Sequence, residues 1–173
     1  MKNIFFVIMV CLLTACSTHQ IKTVSSNQIK DFGQDIKVVV TGEASDISSQ
    51  LSRHIQANLL TAGFNIVDNV HATNLTVVIS EFNPGNAALR LTIGFGAGRG
   101  SLVYNAKYSK EGKILIDYDG AERFTGLELA PGTKYRPFGN MGGEETATQI
   151  LLEEASKHIV DLAIKGNSEN TGE

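Results

Sequence analysis

The sequence contains little cysteine, no excess of charge of one sign and no long apolar run. Its two cysteines, Cys11 and Cys16, lie near the start of the chain, so the remainder cannot form a disulfide, a thiolate metal site or a cysteine nucleophile. The 15 basic and 18 acidic residues are scattered evenly, and the lack of a basic stripe argues against nucleic-acid binding. The apolar run at residues 4–13 is shorter than the roughly 20 residues that a transmembrane helix needs.

The first sixteen residues have the pattern of a secretion signal. A basic start at Lys2 precedes the short apolar run, and Leu13-Thr14-Ala15-Cys16 follows it. These four residues resemble the lipobox of bacterial lipoproteins, with an ordinary secretory signal as the alternative. The resemblance implies cleavage between Ala15 and Cys16, attachment of a diacylglycerol to the Cys16 thiol, and acylation (palmitate) of the new amino group.

The residue after the lipidated cysteine bears on the location of the protein. In the lipoproteins that the lipobox resembles, an aspartate at this position retains the protein in the inner membrane. Ser17 stands there in this sequence. The resemblance therefore implies an outer-membrane lipoprotein that faces the periplasm, with the membrane as a partner through the N-terminal lipid.

Composition and periodicity divide the chain into four parts. We expect a signal peptide at residues 1–15, a flexible tether at 16–34, one domain at 35–165 and a disordered tail at 166–173. Within the domain, β-branched and alternating segments predict strands, with Leu75, Val77 and Ile79 on one face of one strand and Ile114, Ile116 and Tyr118 on one face of another. Apolar residues every three or four positions predict two helices, whose stripes are Ile47, Leu51, Ile55 and Leu59 in the first and Ala147, Ile150, Leu151, Ala155, Ile159, Leu162 and Ala163 in the second. The elements follow one another as strand, helix, several strands, helix. This order predicts an α+β fold, a two-layer sandwich of a twisted, mostly antiparallel sheet of about five strands with two helices on one face.

The least regular passage begins at residue 83 and reads NPGNAALRLTIGFGAGRGSLVYNAKYSKEGKIL. It resembles the signature of the domain of unknown function 4410 family at six matching positions, Arg90, Gly94, Phe95, Gly96, Ala97 and Gly98. The resemblance covers most of residues 35–165 and implies the same fold and a lipoprotein's location. The family has no established activity, and residues 128–141 depart from its pattern. The pattern at residues 86–93 is compatible with either helix or strand.

Gly94, Gly96, Gly98 and Gly100 alternate along this passage. A dinucleotide-binding fingerprint needs a different third spacing and a helix after the glycines, whereas a strand follows here. We expect a structural role, because glycine permits positive φ or close backbone approach. A glycine surface on which a partner's backbone docks is the alternative.

Three carboxylates, Asp117, Asp119 and Glu122, are the candidates for catalysis or calcium binding. The calcium-loop pattern is incomplete, and a spacing of two places both aspartates on one strand face, which we interpret as the solvated face. The four histidines have no metal-ligand spacing, and no serine has the context of a nucleophile. The sequence therefore predicts no catalytic residue, no metal and no cofactor.

The segment at residues 128–141 contains side chains that are typical of interface anchors. Tyr135, Arg136, Phe138 and Met141 lie on a loop rich in proline and glycine, although the aromatic rings could instead fold back onto the core. We predict a non-enzymatic domain that binds an envelope protein or polymer, or assists in its assembly. The alternatives are a glycan-processing or other hydrolase that uses Asp117, Asp119 or Glu122, and a subunit of a multimeric envelope or secretion complex; the sequence does not determine the oligomeric state.

Overall fold

The structure, a computed structural model, describes residues 20–24, 32–92, 98–124 and 143–168. Within these residues, six strands and three helices occur. The strands are β1 (Gln20–Val24), β2 (Asp35–Gly42), β3 (Asn65–Ile66), β4 (Thr73–Asn83), β5 (Gly100–Lys110) and β6 (Lys113–Phe124). The helices are α1 (Ser45–Thr61), α2 (Ala87–Thr92) and α3 (Glu144–Ser168).

The described strands form one sheet in the order β1-β6-β5-β4-β2-β3. The β1–β6, β6–β5 and β5–β4 pairs are antiparallel, whereas β2 pairs in parallel with both β4 and β3. A parallel pair needs a crossover, and α1 supplies it between β2 and β3. The predicted α+β sandwich with a mostly antiparallel sheet is confirmed.

The core lies between one face of the sheet and the two long helices. In β4, the alternating residues Leu75, Val77 and Ile79 are buried against them, as the sequence predicts. The predicted apolar stripes of both helices are also buried: Ile47, Leu51, Ile55 and Leu59 of α1, and Ala147, Ile150, Leu151, Ala155, Ile159, Leu162 and Ala163 of α3. Each fully buried leucine contributes about 1.5–3 kcal/mol to folding. Asn58 of α1 donates a hydrogen bond to Ser156 Oγ of α3 at 2.9 Å, which joins the helices side by side.

A β-bulge in β6 corrects one detail of the predicted alternation. Tyr108 pairs with Ile116 but the next residue of β5, Ser109, pairs with Ile114, so Leu115 is the extra residue. Leu115 and Ile116 are consequently both buried, whereas Ile114, which the alternation places with Ile116, is 42% exposed.

The ordered domain begins earlier than residue 35, where the sequence places its boundary. Strand β1 pairs with β6 within the predicted tether, and Phe32 is fully buried. The Phe32 ring contacts those of Phe64 and Tyr108 at centroid distances of 6.3 and 5.1 Å, and its carbonyl accepts a hydrogen bond from the Thr73 hydroxyl. The sequence assigns these residues to the tether, whereas the structure places β1 in the sheet and Phe32 in the core.

The segment that the sequence left undecided between helix and strand contains α2. The Asn86 side chain accepts a hydrogen bond from the Leu89 backbone N–H at 3.1 Å, an arrangement typical of a helix N-cap. Helix α2 therefore connects the end of β4 to the glycine-rich passage before β5. At the other end of the chain, α3 continues to Ser168, beyond the predicted start of the tail at residue 166.

Candidate functional site

A row of polar side chains lies between the sheet and α3. Tyr104 Oη of β5 donates a hydrogen bond to Glu122 Oε1 of β6 at 3.0 Å, and His158 Nδ1 of α3 lies 2.8 Å from the same oxygen. Tyr104 is 1% exposed and Glu122 is 6% exposed, whereas the His158 side chain is part-exposed. The row therefore leads from the core to the surface and links α3 to the sheet.

The glycine opposite Tyr104 makes this row possible. Tyr104 pairs with Gly120 across the β5–β6 ladder, and its ring lies over that glycine. A Cβ at position 120 would stand 2.5 Å from the Tyr104 oxygen, closer than real side chains approach. With only hydrogen there, the phenol reaches along β6 to Glu122, two residues further on the same face.

Burial determines the ionisation of the tyrosines in this row. Desolvation, followed by the nearby charge of Glu122, raises the pKa of Tyr104 far above its usual range. The same two causes raise the pKa of Tyr118, whose ring lies 6.1 Å from that of Tyr104. Tyr104 therefore stays protonated and acts as a hydrogen-bond donor. Its chemistry here is that of a structural tie and not of a nucleophile or base.

The two aspartates of β6 lie on the other face of the sheet. Asn105 Nδ2 donates hydrogen bonds to Asp117 Oδ1 at 2.8 Å and to Asp119 Oδ1 at 2.9 Å. Lys107 Nζ lies 3.6 Å from Asp117 Oδ2. An amide and an ammonium group thus compensate this pair, which shares a face as its spacing predicts.

The three candidate carboxylates consequently do not form one site. Glu122 points towards α3, and the sheet separates it from Asp117 and Asp119. The described part of the chain contains no group of three or more histidine, aspartate or glutamate side chains placed to hold a metal ion. Sequence reasoning missed Tyr104 and His158. The available signal in the sequence was the alternation of side chains along β6. This alternation places Glu122 on the apolar face, together with Tyr118 and Phe124.

Two glycines of the alternating series lie where the chain enters β5. Gly98 has φ +68°, its carbonyl accepts a hydrogen bond from Asn86 N at 3.1 Å, and the Asn86 carbonyl leaves no room for a Cβ there. A Cβ at Gly100 would stand 3.1 Å from the Pro84 carbonyl oxygen and 3.2 Å from Leu151 Cδ1. Both glycines therefore permit the close approach of the chain segments on either side of α2.

Other predicted site residues fall outside the described residues. They are the cleavage and lipidation positions Ala15 and Cys16, the glycine-segment residues Gly94, Phe95 and Gly96, and the loop residues Tyr135, Arg136, Phe138 and Met141. The backbone of Arg90 belongs to α2. None of the described helices is long and apolar enough to cross a membrane.

Comparison with solved structures shows the fold. A dodecamer of a PelC variant from Paraburkholderia phytofirmans matches with a TM-score of 0.52 at 12% identity, over 86% of this chain and 97% of that one. A second crystal form of the PelC dodecamer from that organism gives 0.49 at 11% identity, over 80% and 94%. A minor lipoprotein from Acinetobacter baumannii gives 0.37 at 12% identity, over 76% and 91%.

Sequence comparison assigns the chain to a family, and the matched region contains the strands of the sheet. No curated protein matches the chain. The model of the family described as "Domain of unknown function (DUF4410)" matches residues 20–126, which run from β1 to just beyond β6. This match covers more than half of the sequence, including the sheet, Gly98, Gly100 and Glu122, and the chain therefore belongs to the DUF4410 family.

Proposed function

We propose that this protein is a lipoprotein, anchored through Cys16 in the outer membrane and facing the periplasm. The support is the lipobox-like sequence Leu13-Thr14-Ala15-Cys16 after a short apolar run. Two acyl signals on one residue anchor a protein stably, whereas a single chain binds reversibly.

Fractionation tests both the anchor and the membrane. Wild-type protein is expected in the outer-membrane fraction, and Cys16→Ala should leave that fraction because the lipid acceptor is lost. Ser17→Asp is expected to move the protein to the inner membrane, with Ser17→Asn as the uncharged control. Unchanged outer-membrane recovery of Cys16→Ala would contradict lipid anchoring.

The domain itself is proposed to bind an envelope protein or polymer without catalysing a reaction. The observation that carries this proposal is the position of the carboxylates on opposite faces of β6. Most glycoside hydrolases place two carboxyl groups on either side of the bond that they cleave, roughly 5–9.5 Å apart. Here Tyr104 and His158 contact Glu122 below α3, and Asn105 holds Asp117 and Asp119 on the other side. This arrangement argues against the hydrolase alternative.

The loop at residues 128–141 is the proposed binding element. Tyr135, Arg136, Phe138 and Met141 supply the aromatic, arginine and methionine side chains that are enriched at the centres of interfaces. Affinity capture of the envelope partner should compare the wild-type protein with the double variant Arg136→Ala/Phe138→Ala. Loss of capture, with an unchanged unfolding transition, is expected. Arg53→Ala, an exposed arginine of α1, is the matched control, and equal capture by all three proteins would show that the loop is not the binding element.

A specific observation also favours the proposal of a multimeric subunit. Strand β3 pairs only with Asp35 and Ile36 of β2, and no other described strand covers that edge of β2. An open edge can accept a strand from another chain. The PelC proteins with this fold form dodecamers, which makes self-assembly worth testing here. Native mass after detergent extraction separates a homo-oligomer from a monomer.

A further inference from the structure

We infer that one end of the sheet, where β6 ends and β5 begins, lies against the bilayer surface, because the tether is too short to hold this end away from it. The inference rests on the proposed lipidation of Cys16. It concerns a surface that faces lipid headgroups, and it follows from the pairing of β1.

The first step is the length of chain between lipid and sheet. Gln20 is the first residue of β1, and it lies four residues after Cys16. Since an extended chain spans at most about 3.3–3.6 Å per residue, the lipidated residue lies within roughly 14 Å of Gln20.

The second step is the position of Gln20 along the strand direction of the sheet. Gln20 pairs with Asp119, and β6 continues past that pair for five more residues, to Phe124. At about 3.4 Å per residue this overhang is roughly 17 Å long. The overhang is therefore at least as long as the tether, and with β6 pointing towards the bilayer the end of β6 reaches the headgroup level.

Other elements belong to the same end of the domain. Asn83 pairs with Ser101, which pairs with Arg123, so β4 ends and β5 begins beside the end of β6. Helix α2 lies between β4 and β5, and its Leu89 is 41% exposed. We call these elements the anchor end: residues 83–92, residues 98–101 and residues 120–124.

The anchor end has side chains that can contact lipid phosphate groups. Arg99 and Arg123 are exposed, and neither forms an ion pair with another described residue. Arginine pairs bidentately with phosphate. Glu81 of β4 and Glu144 and Glu145 at the start of α3 are also exposed. These three carboxylates outnumber the two arginines, so tether length and not net charge carries the inference.

With the strands standing on the bilayer, the opposite end of the domain lies away from the same surface. The β5–β6 hairpin turns at Glu111 and Gly112, and Lys113 lies eleven residues before Phe124 along β6. At about 3.4 Å per residue this separation is roughly 37 Å, several times the reach of a headgroup contact. The two ends are therefore distinguishable by a probe attached to each.

Single-cysteine labelling tests the inference, because the mature chain offers no thiol besides the lipidated Cys16. Lipidated Leu89→Cys, Arg123→Cys and Lys113→Cys proteins are labelled with bimane. They are then inserted in vesicles of equal parts phosphatidylethanolamine and phosphatidylglycerol that carry a nitroxide on the headgroup. We expect severalfold fluorescence loss at positions 89 and 123 and little at 113. Equal quenching at all three positions, or none at 89 and 123, would overturn the inference.

A lengthened tether isolates the cause. Twenty Gly/Ser residues inserted between Ser17 and Thr18 add a root-mean-square length of about 25 Å. Quenching at positions 89 and 123 should fall while the protein still floats with the vesicles, and persistent quenching would contradict the role of the tether. Intact mass measures lipidation separately: an unacylated Cys16 removes the proposed function and this inference together, whereas acylated protein with uniform quenching removes the inference alone.

Discussion

Tyr104 and Gly120 face each other across the β5–β6 ladder, and the phenol ring of the first lies over the backbone of the second. This relationship directs the Tyr104 hydroxyl to Glu122 and, through that carboxylate, ties the sheet to His158 of α3. The longest helix of the described chain is thus positioned by a polar contact as well as by its apolar stripe.

A methyl group at position 120 should disrupt this relationship. Gly120→Ala would displace the Tyr104 ring, and overpacking of this kind costs about 1–3 kcal/mol. Urea unfolding measures the change in the free energy of unfolding. Gly143→Ala is the matched control, since a Cβ there meets no atom within 4 Å. Equal stabilities of the two variants would contradict the described packing.

The hydrogen bond between Tyr104 and Glu122 should appear as a coupling energy. Glu122→Leu leaves the buried Tyr104 hydroxyl without its acceptor, which costs about 1–3 kcal/mol. In a Tyr104→Phe background the same substitution should cost less, because no hydroxyl remains to be satisfied. A double-mutant cycle by urea unfolding measures the difference, and additive effects would show that the two side chains do not interact.

Alkaline pH should destabilise the domain through its buried tyrosines. Burial raises the pKa of Tyr104 and of Tyr108 above the usual range, so both keep their protons in the folded state. Their contribution is fully present below about pH 10, where the unfolded chain also holds these protons. Above that pH the unfolded chain releases them, and the free energy of unfolding falls by about 1.4 kcal/mol per pH unit for each tyrosine.

Unfolding in urea at several pH values above neutrality checks this slope. Tyr104→Phe and Tyr108→Phe should each make the loss above about pH 10 shallower than in the wild type. The ultraviolet absorbance of these two tyrosines should stay that of the protonated phenol, and not become that of the phenolate, until the domain unfolds. A slope that neither substitution alters would contradict the burial of their hydroxyls.

The early boundary of the domain predicts a large effect at Phe32. This ring is fully buried between Phe64 and Tyr108, and Gly166 of α3 packs against it. Phe32→Ala should therefore lower the free energy of unfolding by about 3–5 kcal/mol. Leu89→Ala, a change at an exposed position, should alter it by less than about 0.5 kcal/mol. A loss at Phe32 as small as that at Leu89 would restore the spacer interpretation of residues 16–34.

Local patterns in the sequence were sufficient for most of the fold. The alternation of Leu75, Val77 and Ile79 and the four-residue spacing from Ile47 to Leu59 depend on single elements, and both predictions are confirmed. Strand β1 carries no such signal, because its place depends on backbone pairing with residues 116–119. The bulge at Leu115 likewise depends on the register of β5 against β6.

The polar row lay beyond sequence reasoning for a related reason. Glu122 has the residue type of a catalytic acid, but its environment is set by His158, 36 residues further along the chain, and by Tyr104 on the neighbouring strand. No local pattern specifies such contacts. The alternation of side chains along β6 would, however, have placed Glu122 on the opposite face of the sheet from Asp117 and Asp119.

The central claim, a lipid-anchored domain that binds an envelope component without catalysis, is tested most directly by covalent crosslinking in intact cells. The lipidated protein is captured afterwards, and the molecules linked to it are identified by mass spectrometry. We predict one envelope partner in stoichiometric amount, recovered equally with the Asp117→Asn/Asp119→Asn variant. Recovery of no partner by abundant, folded and lipidated protein would contradict the claim and return weight to the hydrolase alternative.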